Sequence, residues 1–168
     1  MNKLRYDDIA NLIPTEVCRE FAIFGALTDR AIMYLLNRGL VYSLQPKDEL
    51  FTLGERSDRF YIVLQGKIAF YKHSEGNWAF MSDYGSGEQI GFVGMISLQP
   101  RVGWAYAETD SLVLEISCDL FHEFQMEYPE DFSVLMINLV REISRNLIAV
   151  GDMLVDLTTS AQDKSKTG

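Results

Sequence analysis

The sequence predicts a mainly β chain with flanking helices: an eight-stranded antiparallel jelly-roll barrel, an N-terminal helical cap before it and a long helix after it. Three observations predict this. From Leu40 to about Ile116, short runs of Val, Ile, Phe and Tyr are punctuated by Gly, Pro, Asp and Ser at the intervals of all-β domains. Ahead of that region stand helix start and stop signals, and behind it an apolar period of three and four residues runs from Pro129 to Leu157. The expected organisation is a helical cap over 1–38, the jelly roll with a short following helix over 39–128, a dimerisation helix over 129–157 and a flexible tail over 158–168.

In chain order, Pro14-Thr15-Glu16 with Val17 and Phe21 suits a first helix. Thr28 then caps a second, with Leu27 and Ile32 at the spacing of a hydrophobic staple and Gly39 as the stop. The segments VYSL, ELFTL, FYIVLQ, KIAFY, WAFMSDY, GWAYAE and SLVLEI read as strands. Gln65-Gly66 is expected to close one hairpin and Ser74-Glu75-Gly76-Asn77 the next, giving seven or eight antiparallel strands, a number that suits a jelly roll. Ser117 suits the cap of a short helix ending near Tyr128, and Pro129 the first turn of the long one.

In that long helix Met136, Leu139, Ile143, Asn146, Val150, Met153 and Leu157 form a heptad seam, expected to be a homodimer interface. Val140, Leu147 and Leu154 widen it, so one helix can pack on its own barrel and on a partner. Asn146 in such a seam would fix register at a cost in stability. The polar segment SAQDKSKTG after it suits a frayed tail.

Composition narrows the function. With 15 Lys and Arg against 24 Asp and Glu, the net charge of -9 opposes the counterion release that drives nucleic-acid binding, so none is expected. Cys18 and Cys118 form no CxxC pair, and the only histidines, His73 and His122, are too few for a jelly-roll metal enzyme. No nucleophile elbow, phosphate-binding loop or HExxH motif occurs, so no enzyme and no metal are expected. No apolar run is long enough to span a bilayer and no signal-peptide core is present, which suggests a cytoplasmic protein without membrane contact. Trp78, Tyr84, Trp104 and Tyr106 are read as core or cross-strand aromatics.

Over Leu12 to Leu157 the sequence resembles the cyclic-nucleotide-binding domain of the catabolite-activator and kinase-regulatory-subunit family. The stretches that carry the resemblance are LGERSDRFYIVLQGKIAFY from Leu53, GEQIGFVG from Gly87 and RVGWAYAETDSLVLEI from Arg101. In the first, Gly54, Asp58, Phe60, Tyr61, Ile62, Val63 and Gly66 match the family's strand-pair motif. The resemblance implies a phosphate-binding cassette formed by Gly87, Ile90, Gly91, Phe92, Val93, Gly94, Arg101, Val102 and Gly103. Such a site needs helix-terminal amides, glycines for close approach, an arginine for the phosphate and a carboxylate for the ribose hydroxyl.

Here the cassette is degenerate. Phe92 stands where the family has the ribose-binding Glu, and Val102-Gly103 where a hydroxyl residue follows the arginine. Val150 and Gly151 stand about where cyclic AMP-binding activators carry hydroxyls. Each polar partner lost to a buried ligand costs about 1–3 kcal/mol, so ordinary cyclic AMP binding is not expected. The family's activators add a helix-turn-helix domain; the eleven residues after Leu157 are too few for one, which implies action through a partner protein. Single-module members in bacteria suggest a bacterial signalling role by analogy.

Two readings stay open. In one the module is a sensor without a resident cofactor, binding a cyclic nucleotide or another anion at Arg101. In the other it is a ligand-free dimerisation scaffold whose pocket is filled by Phe92, Val93, Met95, Val102 and Trp104. The space beside Arg101, open or filled, distinguishes them.

Overall fold

The computed structural model describes residues 1–166. The chain forms β1 (Asn2–Leu4), α1 (Tyr6–Ile9), α2 (Thr15–Arg19), a 3-10 turn (Ala22–Phe24) and α3 (Asp29–Arg38). Then come β2 (Leu40–Leu44), β3 (Glu49–Phe51), β4 (Arg59–Gln65), β5 (Ile68–Ser74), β6 (Asn77–Tyr84), β7 (Gln89–Ile90), α4 (Phe92–Ile96), β8 (Gly103–Ala107) and β9 (Ser111–Ser117). Two helices, α5 (Cys118–Glu127) and α6 (Pro129–Lys166), complete it.

The strands make two antiparallel sheets, one in the order β1-β2-β9-β4-β7 and one in the order β3-β8-β5-β6. The architecture is the mainly β jelly roll with flanking helices and a long last helix, and eight of its strands lie between Leu40 and Ser117 as expected. The two sheets stay separate, so the barrel is not closed.

The five-stranded sheet is the middle of three layers, which is why its central strands are apolar on both faces. Phe60, Ile62 and Leu64 of β4 and Leu112, Leu114 and Ile116 of β9 pack with the helices. The alternate residues Tyr61, Val63 and Val113 pack with Ile68, Ala105 and Ala107 of the second sheet. Helix α3 contributes Ala31, Ile32, Leu35 and Leu36 to the helical layer. It starts where expected, the Thr28 hydroxyl accepting from the Ala31 amide at 3.3 Å, and Ser117 caps α5 the same way at Leu120, at 3.2 Å.

Four expectations are corrected. The 1–38 cap is not wholly helical, since β1 pairs with β2 as an added edge strand. Three residues bearing one lysine give no period to detect. Gln65-Gly66 does turn the chain, with Gly66 at φ +89°, but β4 and β5 belong to different sheets, so the turn is a crossover and not a hairpin. The hairpin at Glu75-Gly76 joins β5 to β6 as expected.

The two remaining corrections concern the last helix. The expected tail continues α6 to Lys166, because no glycine or proline interrupts it after Leu157; residues 167–168 lie outside the described residues. The Thr158 and Thr159 hydroxyls bond back to the Leu154 and Val155 carbonyls. Leu139 is withdrawn from the expected dimer seam, for it is fully buried in its own core beside Leu135.

Candidate functional site

The site lies where α4, the loop leading to β8 and the middle of α6 meet the second sheet. Gly91 precedes α4 with φ +95°, a left-handed conformation that favours glycine. A Cβ there would stand 2.3 Å from Nη1 of Arg101, so the backbone turn and the arginine's approach both require the bare backbone.

Arg101 is buried, and its guanidinium is held by the protein itself. Nη1 donates to the Gly91 carbonyl at 3.1 Å and Nη2 to the Arg59 carbonyl at 2.6 Å, while the group lies 4.2 Å from the centre of the Phe51 ring. Nε is buried with no acceptor. Burial lowers its pKa from the usual arginine value, opposed by Tyr61 and Glu55. The expected anion-binding arginine thus joins β4 to the cassette.

Beside it the space is open. A cavity of about 390 Å³ is bounded by Phe51, Phe70, Tyr84, Ile90, Val93 and Val102, with Ser57, Lys72, Gln89, Gln99, Arg101 and Asn146 as polar groups. This is within the size of small-ligand sites. The structure therefore does not support the filled pocket. Phe92 and Met95 turn into the helical core, Phe92 packing edge-on against Phe60 and Phe121 at 5.3 and 5.9 Å. Trp104 lies on the outer face of the second sheet, its ring tilted against Tyr106 with centroids 4.6 Å apart. Gly91, Val93, Gly94, Ile90, Val102 and Arg101 line the cavity; Gly87, Phe92 and Gly103 are not among its lining residues. The Gly103 position instead abuts the Tyr71 carbonyl and the Phe70 ring.

Asn146, expected in the seam, also lines the cavity from α6. One turn earlier, Glu142 is buried and accepts from the Gln89 amide at 3.0 Å, and the Gln89 side-chain oxygen accepts from the Phe92 amide at 3.2 Å. The first amide of α4 is thereby joined to α6 through two side chains. Burial raises the Glu142 carboxyl to about 7, opposed by the Gln89 amide and reinforced by Glu88.

Sequence reasoning did not single out Gln89, Glu142 or Lys72. The signal for Glu142 was a stripe of Leu135, Leu139, Glu142 and Asn146 in steps of four, three and four, which faces the domain. Lys72 shares a face of β5 with Phe70 two residues earlier. Of the expected seam, Met136 and Ile143 pack partly on the core, and Val150, Met153 and Leu157 are exposed. Ile137 is exposed as well, as are Val140, Leu147 and Leu154, the residues expected to widen the seam.

Among the described residues no helix is long and apolar enough to cross a membrane, and no cluster of His, Cys, Asp or Glu could hold a metal.

Comparison with known proteins gives one consistent relationship. The cyclic nucleotide-binding domain family matches residues 41–128. The cAMP-activated global transcriptional regulator CRP of Escherichia coli O157:H7 is 26% identical over 134 residues, 78% of this chain and 64% of that protein. Neuropathy target esterase sws of Drosophila persimilis is 29% identical over 113 residues, 67% of this chain and 8% of that protein. The chain thus spans less than a tenth of that esterase. A crystal structure of a cyclic nucleotide-binding domain from Methylobacillus flagellatus KT superposes with a TM-score of 0.77 at 19% identity, covering 92% of this chain and 88% of that one.

Proposed function

Since this chain belongs to the cyclic nucleotide-binding domain family, we propose that it is a ligand-sensing regulatory module that does not bind cyclic AMP in the ordinary way. The observation that carries the reading is the open cavity walled by both the cassette and α6, with Asn146 on the helix side. A ligand there touches the cassette and the helix together, so it shifts the population between docked positions of α6. The exposed stripe of Val140, Leu147 and Leu154 gives α6 a face for a second copy, and the module acts through a partner protein without contacting nucleic acid itself.

Cyclic AMP suits the cavity poorly. Its phosphate would have to draw Arg101 from two carbonyls, and the side chain at position 92, where the family places its ribose carboxylate, is an apolar ring in the core. Calorimetric titration with cyclic AMP, cyclic GMP and cyclic dinucleotides, with Arg101→Ala alongside, tests this. Cyclic AMP is expected to give no saturable heat below the millimolar range. Micromolar binding that vanishes in Arg101→Ala would show that the carbonyl bonds yield to phosphate and would overturn the reading.

The internal engagement of Arg101 favours a second reading, a scaffold that needs no ligand. Val102→Trp, placed on the cavity wall, separates the two: it abolishes a sensor's ligand response and leaves a scaffold's assembly untouched.

A further inference from the structure

The outer face of the second sheet carries a band of aromatic side chains that neither the core nor the cavity uses. Strand register puts Trp78 beside His73, Phe80 beside Tyr71 and Tyr71 beside Trp104, with Tyr106 one row further along β8. The rings form a group of four and an adjoining pair. Tyr71 lies 5.4 Å from Phe80, 6.3 Å from Trp104 and 5.9 Å from Tyr106, and His73 lies 4.9 Å from Trp78. Trp78 and Phe80 are 50% and 49% exposed, so half of two large apolar side chains faces water. Contiguous exposed aromatic surface of this kind marks an interaction site.

Two further observations say what covers it. The first is the edge: β6 ends its sheet and pairs only with β5 among the described residues. Edge strands are usually guarded by charge or proline, yet Asn77 to Ser82 contains neither; the one guard is the register shift that leaves Met81 unpaired. An extended segment can add to the straight stretch Asn77–Phe80 through main-chain hydrogen bonds.

The second is charge. Glu49 pairs in register with Tyr106, and Asp83 shares the row of Ala69 and Tyr106, so both carboxylates flank the rings. Glu108 adjoins that end. Lys67 is shared between Asp83 at 3.6 Å and Glu108 at 3.9 Å, so it leaves the rim acidic. Aromatic faces and carboxylates both attract guanidinium and ammonium groups. A nucleic acid, which could stack on the same rings, is disfavoured by the acidic rim and the net charge of -9.

We propose that the aromatic face of β5, β6 and β8 is a docking surface for an extended, arginine-bearing protein segment that adds to the edge of β6. This surface is independent of the ligand cavity, so it stands or falls apart from the sensing role.

The test uses the full chain and tryptophan fluorescence, with three ten-residue peptides: alternating Arg and Thr, alternating Glu and Thr, and alternating Arg and Pro. The Arg-Thr peptide is expected to bind in the micromolar range, more weakly as salt rises. The Glu-Thr peptide is expected not to bind, and the Arg-Pro peptide, which lacks half of its N–H donors and is held by its prolines in the polyproline conformation, to bind at least about tenfold more weakly. Trp78→Ala with Phe80→Ala, read by calorimetry, should weaken the Arg-Thr peptide at least tenfold while circular dichroism stays unchanged. Glu49→Lys with Glu108→Lys, which leaves every ring in place, should weaken it similarly. Equal binding of the Glu peptide, no Arg-Thr binding up to millimolar, tighter binding of a single-stranded oligonucleotide, or self-association of the chain through these rings would each overturn the proposal.

Discussion

Replacing Glu142 by Gln should make the protein more stable at alkaline pH and leave it nearly unchanged in acid. Glutamine keeps the oxygen that accepts from the Gln89 amide and removes only the charge. The charge is costly where it stands, against Tyr84 of β6 and Glu88 just before β7, with Arg145 of its own helix as a partial counterweight. Burial raises this carboxyl from the ordinary 4.5 to about 7. The folded state therefore binds the proton more tightly than the unfolded state does, so this group's stabilisation is fully present below pH about 4.5 and is lost as pH rises through about 7.

At about 1.4 kcal/mol per unit, the charged form costs at most about 3.5 kcal/mol relative to the neutral one. Most of that, about 2.5 kcal/mol, accumulates between about pH 5 and about pH 8. Urea unfolding of both proteins across that range reads it as the difference in free energy, which cancels every other titrating group. A difference that stays flat, or that favours the parent at high pH, would refute the idea that Glu142 is held charged at a cost.

Gly91→Ala should lose about 2 kcal/mol or more in the same assay, because the new Cβ meets both an unfavourable φ and Nη1 of Arg101. Thr28→Ala should cost about 1–2 kcal/mol, for it removes the cap of α3 and the hydroxyl bond to Asp131 of α6 at 3.0 Å, while the Thr28 amide bond to Asp131 remains. Leu147→Glu with Leu154→Glu should shift sedimentation from dimer to monomer without altering the melting of the isolated domain, since both side chains are 65–70% exposed. A dimer that survives both changes would place the interface elsewhere.

The architecture was legible because burial in this chain follows strand and helix periods closely. Strands β4 and β9 announce themselves as continuous apolar runs, and Thr28, Ser117 and Pro129 mark helix starts by local chemistry that needs no tertiary information. The cassette glycines and Arg101 were legible as positions. What Arg101 does was not, because its partners are the main-chain carbonyls of Gly91 and Arg59, and any residue offers a carbonyl. Leu139 was placed in the seam for a related reason. Met136 and Val140 are equally apolar, and only the shape of the domain beneath decides that Leu139 goes inward and Val140 outward. Glu142 was hidden in the same way, being a polar residue on a stripe that the apolar pattern alone does not complete, and the place of Asn146 at the cavity was hidden with it.

Helix α6 extends well beyond the domain it starts on: Ser144 and the side chains described after it are exposed. From Asn146 at the cavity to Lys166 the helix spans roughly 30 Å at 1.5 Å per residue. A tilt of about 10° at the cavity would therefore swing the far end by about 5 Å, one helical turn. Under the proposed sensing role, a ligand that moves the cavity wall by a fraction of an ångström would thus be geared up, by the stiffness of a single rod, to a displacement of the size that a neighbouring protein could register.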